Sequence, residues 1–145
     1  MELLSRIRRF MLVVLVFGMI GTITELLLLA HYEDLVQFIP LVLIVFALAG
    51  VAWHVARPSA GNVLALQVVM TLFLFAGIAG VAFHFQGAAE FQREIDPSQA
   101  WWDLFKKAVR VQAPPMLAPG VMMQLGLLGL IYTYRHPAVT GGNLP

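Results

Sequence analysis

Long apolar stretches separated by short polar turns dominate the sequence. Four of them approach or exceed the length of about 20 residues that a helix needs to cross the hydrocarbon core of a bilayer. They predict four transmembrane helices, at about residues 10–30, 35–56, 63–85 and 116–134. A spanning segment must satisfy its own backbone hydrogen bonds, so we expect an all-α integral membrane protein. Residues 1–145 then form one membrane domain, a four-transmembrane-helix bundle.

A different pattern lies between the third and fourth apolar stretches. Apolar residues recur there at i, i+3, i+4 and i+7, and charged residues occupy the other side. The apolar positions are Trp101, Leu104, Phe105 and Ala108. The spacing predicts an amphipathic helix over about residues 97–112, with Asp96 as its N-cap. We expect it to lie in the outer membrane interface, although a helix that docks on a partner has the same spacing.

Composition supports lipid as the environment. Only 12% of the residues are charged, about half of the roughly 25% typical of a soluble domain. The chain has no cysteine, which excludes disulfides, zinc–thiolate sites and iron–sulfur clusters. It has no basic segment interleaved with aromatics, so nucleic acid is not an expected partner. Phosphate-binding loops and nucleophile motifs are also missing, which argues against an enzyme.

Basic residues beside the apolar stretches predict the orientation. If the N-terminus is cytoplasmic, five arginines lie inside and four Lys or Arg residues lie outside. We therefore expect both termini in the cytoplasm. The first stretch is expected to be a retained helix, because it is longer than the apolar region of a signal peptide and carries Glu25.

Small residues mark the helix faces that should meet neighbours. The segment AGVAWH at 49–54 is nearly repeated as AGVAFH at 79–84, which places His54 at the inner end and His84 at the outer end. Glu25 shares a helical sector with Gly18 and is expected to face inward. His31 falls on the opposite side of the first helix, unless that helix has already ended.

These positions suggest a polar site at the outer end of the bundle. An ionisable group at membrane depth is costly and usually functional, which singles out Glu25. With His84 it forms the core of a candidate metal site that His31, Glu33 and Glu90 could complete. Imidazole with carboxylate suits a divalent transition metal, and equally a proton relay.

Two other cofactors fit parts of the sequence. The four histidines divide into an outer pair, His31 and His84, and an inner pair, His54 and His136, as a b-type cytochrome would require. Against haem, one member of each pair lies at the end of its span. Copper could bind the methionines of the fourth stretch, although methionine more often fills gaps between helices. Those residues are Met116, Met122 and Met123.

Three functions remain open from the sequence. The first is a small oligomeric membrane protein that binds or passes an ion or proton at the outer Glu/His site. The second is an accessory subunit of a larger membrane complex, with no chemistry of its own. The third is a b-type cytochrome. The expected partners are the lipid bilayer and either further copies of the chain or other subunits of a membrane complex.

Overall fold

The computed structural model describes residues 2–110 and 119–141, and 85% of these residues are helical, with no strands. Three helices in this part are long and apolar enough to cross a membrane. They are α1 (Glu2–Leu28), α2 (Phe38–Ala56, preceded by a 3-10 turn at Leu35–Gln37) and α3 (Ala60–Ile95). Three shorter helices follow, α4 (Trp101–Val109), α5 (Gly120–Thr133) and α6 (Pro137–Thr140).

The first two long helices closely match the predicted stretches. Helix α1 also takes in the basic residues before position 10 and ends at Leu28. Helix α2 accommodates Pro40 in its first turn, where the missing N–H is tolerated. Helix α3 differs, because it continues ten residues beyond the predicted end at 85. Its 36 residues measure about 54 Å, against about 30 Å for a hydrocarbon core.

Helix α5 is the shortest of the apolar helices. Its 14 residues span about 21 Å, less than a bilayer core. The predicted stretch was 116–134, and its first three residues lie outside the described part of the chain. The fourth transmembrane helix therefore stays a prediction.

Glycines set the closest helix packing, which joins α3 to α5. A Cβ atom added at Gly126 would lie 2.7 Å from the carbonyl oxygen of Met70, and one at Gly77 would lie 2.9 Å from the backbone nitrogen of Met123. The glycine face of α5, with Gly126 and Gly129, is thus buried against α3. The core around it is apolar and draws on α1, α2, α3 and α5. It includes Leu15, Met19, Ile44, Ala47, Met70, Phe73 and Leu125.

Helix α4 lies within the predicted amphipathic stretch of about 97–112 but begins four residues later than predicted, and residues 111 and 112 lie outside the described part of the chain. It begins at Trp101 because Asp96 closes a turn after α3 instead, accepting hydrogen bonds from the Ser98 N–H (3.1 Å) and hydroxyl (2.7 Å). The apolar side of α4 packs on α3, where Leu104 and Ala108 contact the region of Ala89. The tryptophans at 101 and 102 remain more than half exposed.

Candidate functional site

The two ends of the helix bundle carry opposite charge. One end, formed by the start of α1, the α2–α3 turn and the end of α5, has five arginines and one glutamate; we call it the arginine-rich end. The other, formed by the end of α1, the turn before α2, the end of α3 and α4, has four basic and seven acidic side chains; we call it the acidic end. Each end contains two histidines that lie close together.

At the acidic end, His31 lies against His84, with ring centres 6.5 Å apart. The backbone that follows α1 explains this contact. Ala30 has a φ of 51°, and the N–H groups of His31 and Ala30 donate to the carbonyls of Leu26 (2.9 Å) and Leu27 (3.2 Å). This hydrogen-bond pattern is a Schellman motif, which ends a helix and reverses the chain. It moves His31 off the helical sector that the sequence assigned to it.

The two imidazoles influence each other electrostatically. Partial burial lowers the pKa of His31, and the nearby His84 lowers it further. Both effects disfavour a positive charge on His31. The pair is therefore suited to hold one shared cation more readily than two protons.

The carboxylates of the predicted metal site are not assembled around this pair. Glu25 is exposed, so the expected inward orientation is wrong. Glu33 is exposed, and its backbone N–H donates to the side-chain oxygen of Gln37 (2.8 Å). Glu90 accepts a hydrogen bond from Gln86 one turn earlier (3.0 Å). Within residues 2–110 and 119–141, no three His, Asp or Glu side chains are close enough to hold a metal ion.

At the arginine-rich end, His54 is buried, with 3% of its surface exposed. Its Nε2 lies 3.0 Å from the hydroxyl of Tyr132, joining α2 to α5. The ring of His136 stands edge-on to that of His54, with centres 4.9 Å apart. A second left-handed residue creates this contact, because Arg135 has a φ of 45° and turns the chain back after α5.

Arg8 completes the group from α1. Its Nη2 donates to the carbonyls of Tyr134 (3.2 Å) and Arg135 (3.0 Å), at the carbonyl-rich end of α5 where a cation is favoured. Arg8 Nη1 and His54 Nδ1 are buried without a hydrogen-bond partner in the described part of the chain. We call Arg8, His54, Tyr132 and His136 the buried histidine cluster.

His136 is held in its neutral form. Its Nδ1 accepts a hydrogen bond from the backbone N–H of Ala138 (3.2 Å), which a protonated nitrogen could not do. Burial lowers the pKa of His136 to about 4, and His54 and Arg8 contribute to the same shift. A positive charge on the His136 ring would be poorly solvated and would be repelled by the guanidinium of Arg8, which is always charged.

Sequence reasoning paired the histidines correctly but missed their partners. Arg8 was read only as a topology signal, and Tyr132 was not considered. Gln67 was also left without a role, yet its side chain reaches the carbonyl of Thr133 (3.4 Å). The spacing of Tyr132 and His136, four residues apart at a helix end, was the available signal.

The geometry of the described residues adds little support to the haem and copper sites considered from the sequence. Of the depressions on the described surface, one beside α4 and one along α3 are lined by no histidine. Met122 is buried in the apolar core and Met123 packs near Gly77, as gap-filling residues do. Met116 lies outside the described residues.

Comparison with known proteins gives no further guide, because no family model, curated protein or solved structure matches this chain.

Proposed function

We propose that this chain is a small integral membrane protein that binds or passes a cation or proton at the His31–His84 pair, on the outer side of the membrane. The observation that carries the proposal is the 6.5 Å approach of two imidazoles from separate helices. Ala30 adopts a strained backbone to make it. Such strain persists where the surroundings enforce it, and it is frequent at binding sites.

Electrostatics favours a cation as the ligand. The acidic end carries seven carboxylates against four basic side chains, so cations concentrate there. Neutral imidazole is a common ligand of divalent transition metals. Glu25, Glu33 and Glu90 belong to the same end and could supply oxygen ligands.

The same charge distribution supports the orientation. Basic residues near membrane segments favour the cytoplasmic side, and five arginines gather at the end that holds the N-terminus and the end of α5. We propose four transmembrane helices with both termini in the cytoplasm. The acidic end then faces outward.

Two imidazoles alone leave a metal shell incomplete, since zinc takes four ligands. A second copy of the chain could supply the rest. The face of α1 that carries Glu25 also carries Gly21, and a Cβ added at Gly21 would meet nothing within 4 Å. An open small-residue face beside a carboxylate suits contact with another helix, which favours a homo-oligomer.

The test is metal binding by the full-length protein purified in detergent. Metal content would be measured by elemental analysis, and added Co²⁺ and Zn²⁺ would be followed by absorption and calorimetry. We expect binding that falls at least about tenfold in His31→Ala and His84→Ala, since losing even a residue that only orients a ligand typically costs about tenfold or more. His54→Gln, at the opposite end, is the control and should bind normally.

Each other outcome has a defined meaning. Binding that survives both acidic-end substitutions would contradict a metal site there. A metal-free protein whose His31 and His84 titrate as a coupled pair would identify the proton as ligand. If the protein shows neither metal binding nor coupled titration of the two histidines, the proposal is contradicted and the accessory-subunit hypothesis is the one that stands. A Soret band in the absorption spectrum would instead identify a cytochrome.

A further inference from the structure

The buried histidine cluster holds together three parts of the chain that are distant in sequence. His54 and Tyr132 connect α2 to α5 through a hydrogen bond across 78 residues. Arg8 connects α1 to the carbonyls of Tyr134 and Arg135, the two residues directly after α5, across more than 120 residues. The cluster therefore fixes the end of α5 to both α1 and α2.

We propose that this cluster is a proton-binding site that acts as a latch. Protons taken up from water at that membrane surface bind the imidazoles of His54 and His136 and release the end of α5 from α1 and α2. The inference is independent of the proposed function, because the His31–His84 pair belongs to the opposite end of the bundle.

The closed latch depends on a neutral His136. Its Nδ1 accepts the Ala138 N–H, so a proton on that nitrogen would turn the acceptor into a donor facing a donor. His54 stands 4.9 Å away and Arg8 lies close enough to repel a second cation. Protonation thus removes one hydrogen bond and adds repulsion inside the same buried group.

Within residues 2–110 and 119–141, no acidic side chain contacts either imidazole. The groups beside the two histidines are Arg8 from α1 and Tyr132 from α5, and Gln67 from α3 bonds to the carbonyl of the next residue, Thr133. Glu2, the one acidic side chain described at the arginine-rich end, pairs with Arg6 in an exposed contact. Neutral His136 stabilises the closed cluster above about pH 6.5, and this stabilisation is lost as the pH falls toward 4.

The chain lacks cysteine, so a single introduced thiol can report the opening. Thr133→Cys places one at the end of α5, where the native side chain is 1% exposed. Ala60→Cys, at an exposed position of the same end, corrects for the intrinsic pH dependence of thiol reactivity. A pyridyl disulfide, which reacts at low pH, would label both proteins in detergent from pH 7.5 to 4.5.

We expect the labelling rate at 133 relative to 60 to rise at least about tenfold across this range. A rise of this size follows when the pKa of a histidine in the cluster differs by one unit between the closed and open states. His136→Asn keeps a neutral acceptor for the Ala138 N–H, and His54→Gln keeps one for Tyr132. The rise should be small in each variant and absent in the double variant.

Two results would overturn the latch. One is a pH-independent ratio with native histidines, and the other is a full rise in the double variant. If Thr133→Cys does not fold, nitrogen NMR of the imidazoles in the unaltered protein replaces it. Protonation of His54 and His136 without any change in the amide signals of residues 130–141 would then refute release of α5.

Discussion

Among the residues that the structure describes, Ala30 and Arg135 are the two other than glycine that take the left-handed backbone conformation, with φ of 51° and 45°. An L-residue in that region costs about 1–2 kcal/mol relative to the right-handed form. In both cases the next residue is a histidine, and it meets a histidine of another helix. The strain at each position is tied to one histidine pair.

Ala30→Gly is expected to stabilise the protein by about 0.5–1 kcal/mol. Glycine takes a positive φ without the steric cost, and this gain exceeds the added flexibility of the unfolded chain. Thermal unfolding in detergent would measure the change. The matched control is Ala82→Gly in the middle of α3, which should destabilise by about 1 kcal/mol. Loss of stability in both variants would contradict the left-handed turn.

Individual side chains show where sequence reasoning stops. Helical spacing places His31 on the far side of α1 unless the helix has already ended, and α1 does end before it, at Leu28. The reversal at Ala30 itself is not predictable from the sequence, because alanine rarely accepts a positive φ. The role of Arg8 was invisible for another reason. Its carbonyl partners are 126 and 127 residues away, and no local pattern reports such a contact.

At the scale of elements, the pairing of α3 with α5 depends on backbone approach at glycines. The carbonyl of Met70 occupies the place that a side chain at Gly126 would need. Gly21 of α1 has open space instead. The two glycines therefore differ in what a methyl group would meet, although both lie in helices.

Gly126→Ala is expected to lower the free energy of unfolding by about 1–3 kcal/mol, because the helices must separate to admit the methyl group. Gly87→Ala in α3 is the control, because a Cβ there would also meet nothing within 4 Å, and its better helix propensity should leave stability unchanged or raise it by up to about 1 kcal/mol. Unfolding curves in one detergent would compare them. Equal effects would argue against the close α3–α5 contact.

The ends of the helices are predictable from the sequence where a helix stops at the end of an apolar run. The end of α2 coincides with the prediction because Arg57 and Pro58 follow its apolar run directly. The extension of α3 was missed because residues 86–95 are polar enough to resemble a loop. Helical hydrogen bonding continues there until Pro97 approaches. The predicted start of α4 is also wrong. The Asp96 carboxylate accepts hydrogen bonds from Ser98 within a turn after α3, so it does not cap α4.

On the scale of the whole molecule, charge is separated along the bundle. The arginine-rich end has a net side-chain charge of +4 and the acidic end −3, which agrees with +1 overall. The core between them, in the part of the chain that is described, is built from apolar side chains of α1, α2, α3 and α5. Composition foretold the apolar character, whereas the grouping of charges by end depends on the order of the helices.

The orientation can be tested with single cysteines in the cysteine-free chain. Ala100→Cys, at the acidic end, should react with a membrane-impermeant thiol reagent added to intact cells. Ala60→Cys, at the arginine-rich end, should react only after the cells are opened. Both positions are exposed, so folding should be unaffected. The reverse labelling pattern would contradict cytoplasmic termini.

The separation of charge would also couple the molecule to membrane voltage in the orientation proposed above. Moving one elementary charge through 100 mV is worth about 2.3 kcal/mol. In that orientation the arginines would lie on the negative side of an inside-negative membrane and the carboxylates on the positive side, so the potential would favour both ends. It would oppose both ends of an inverted molecule.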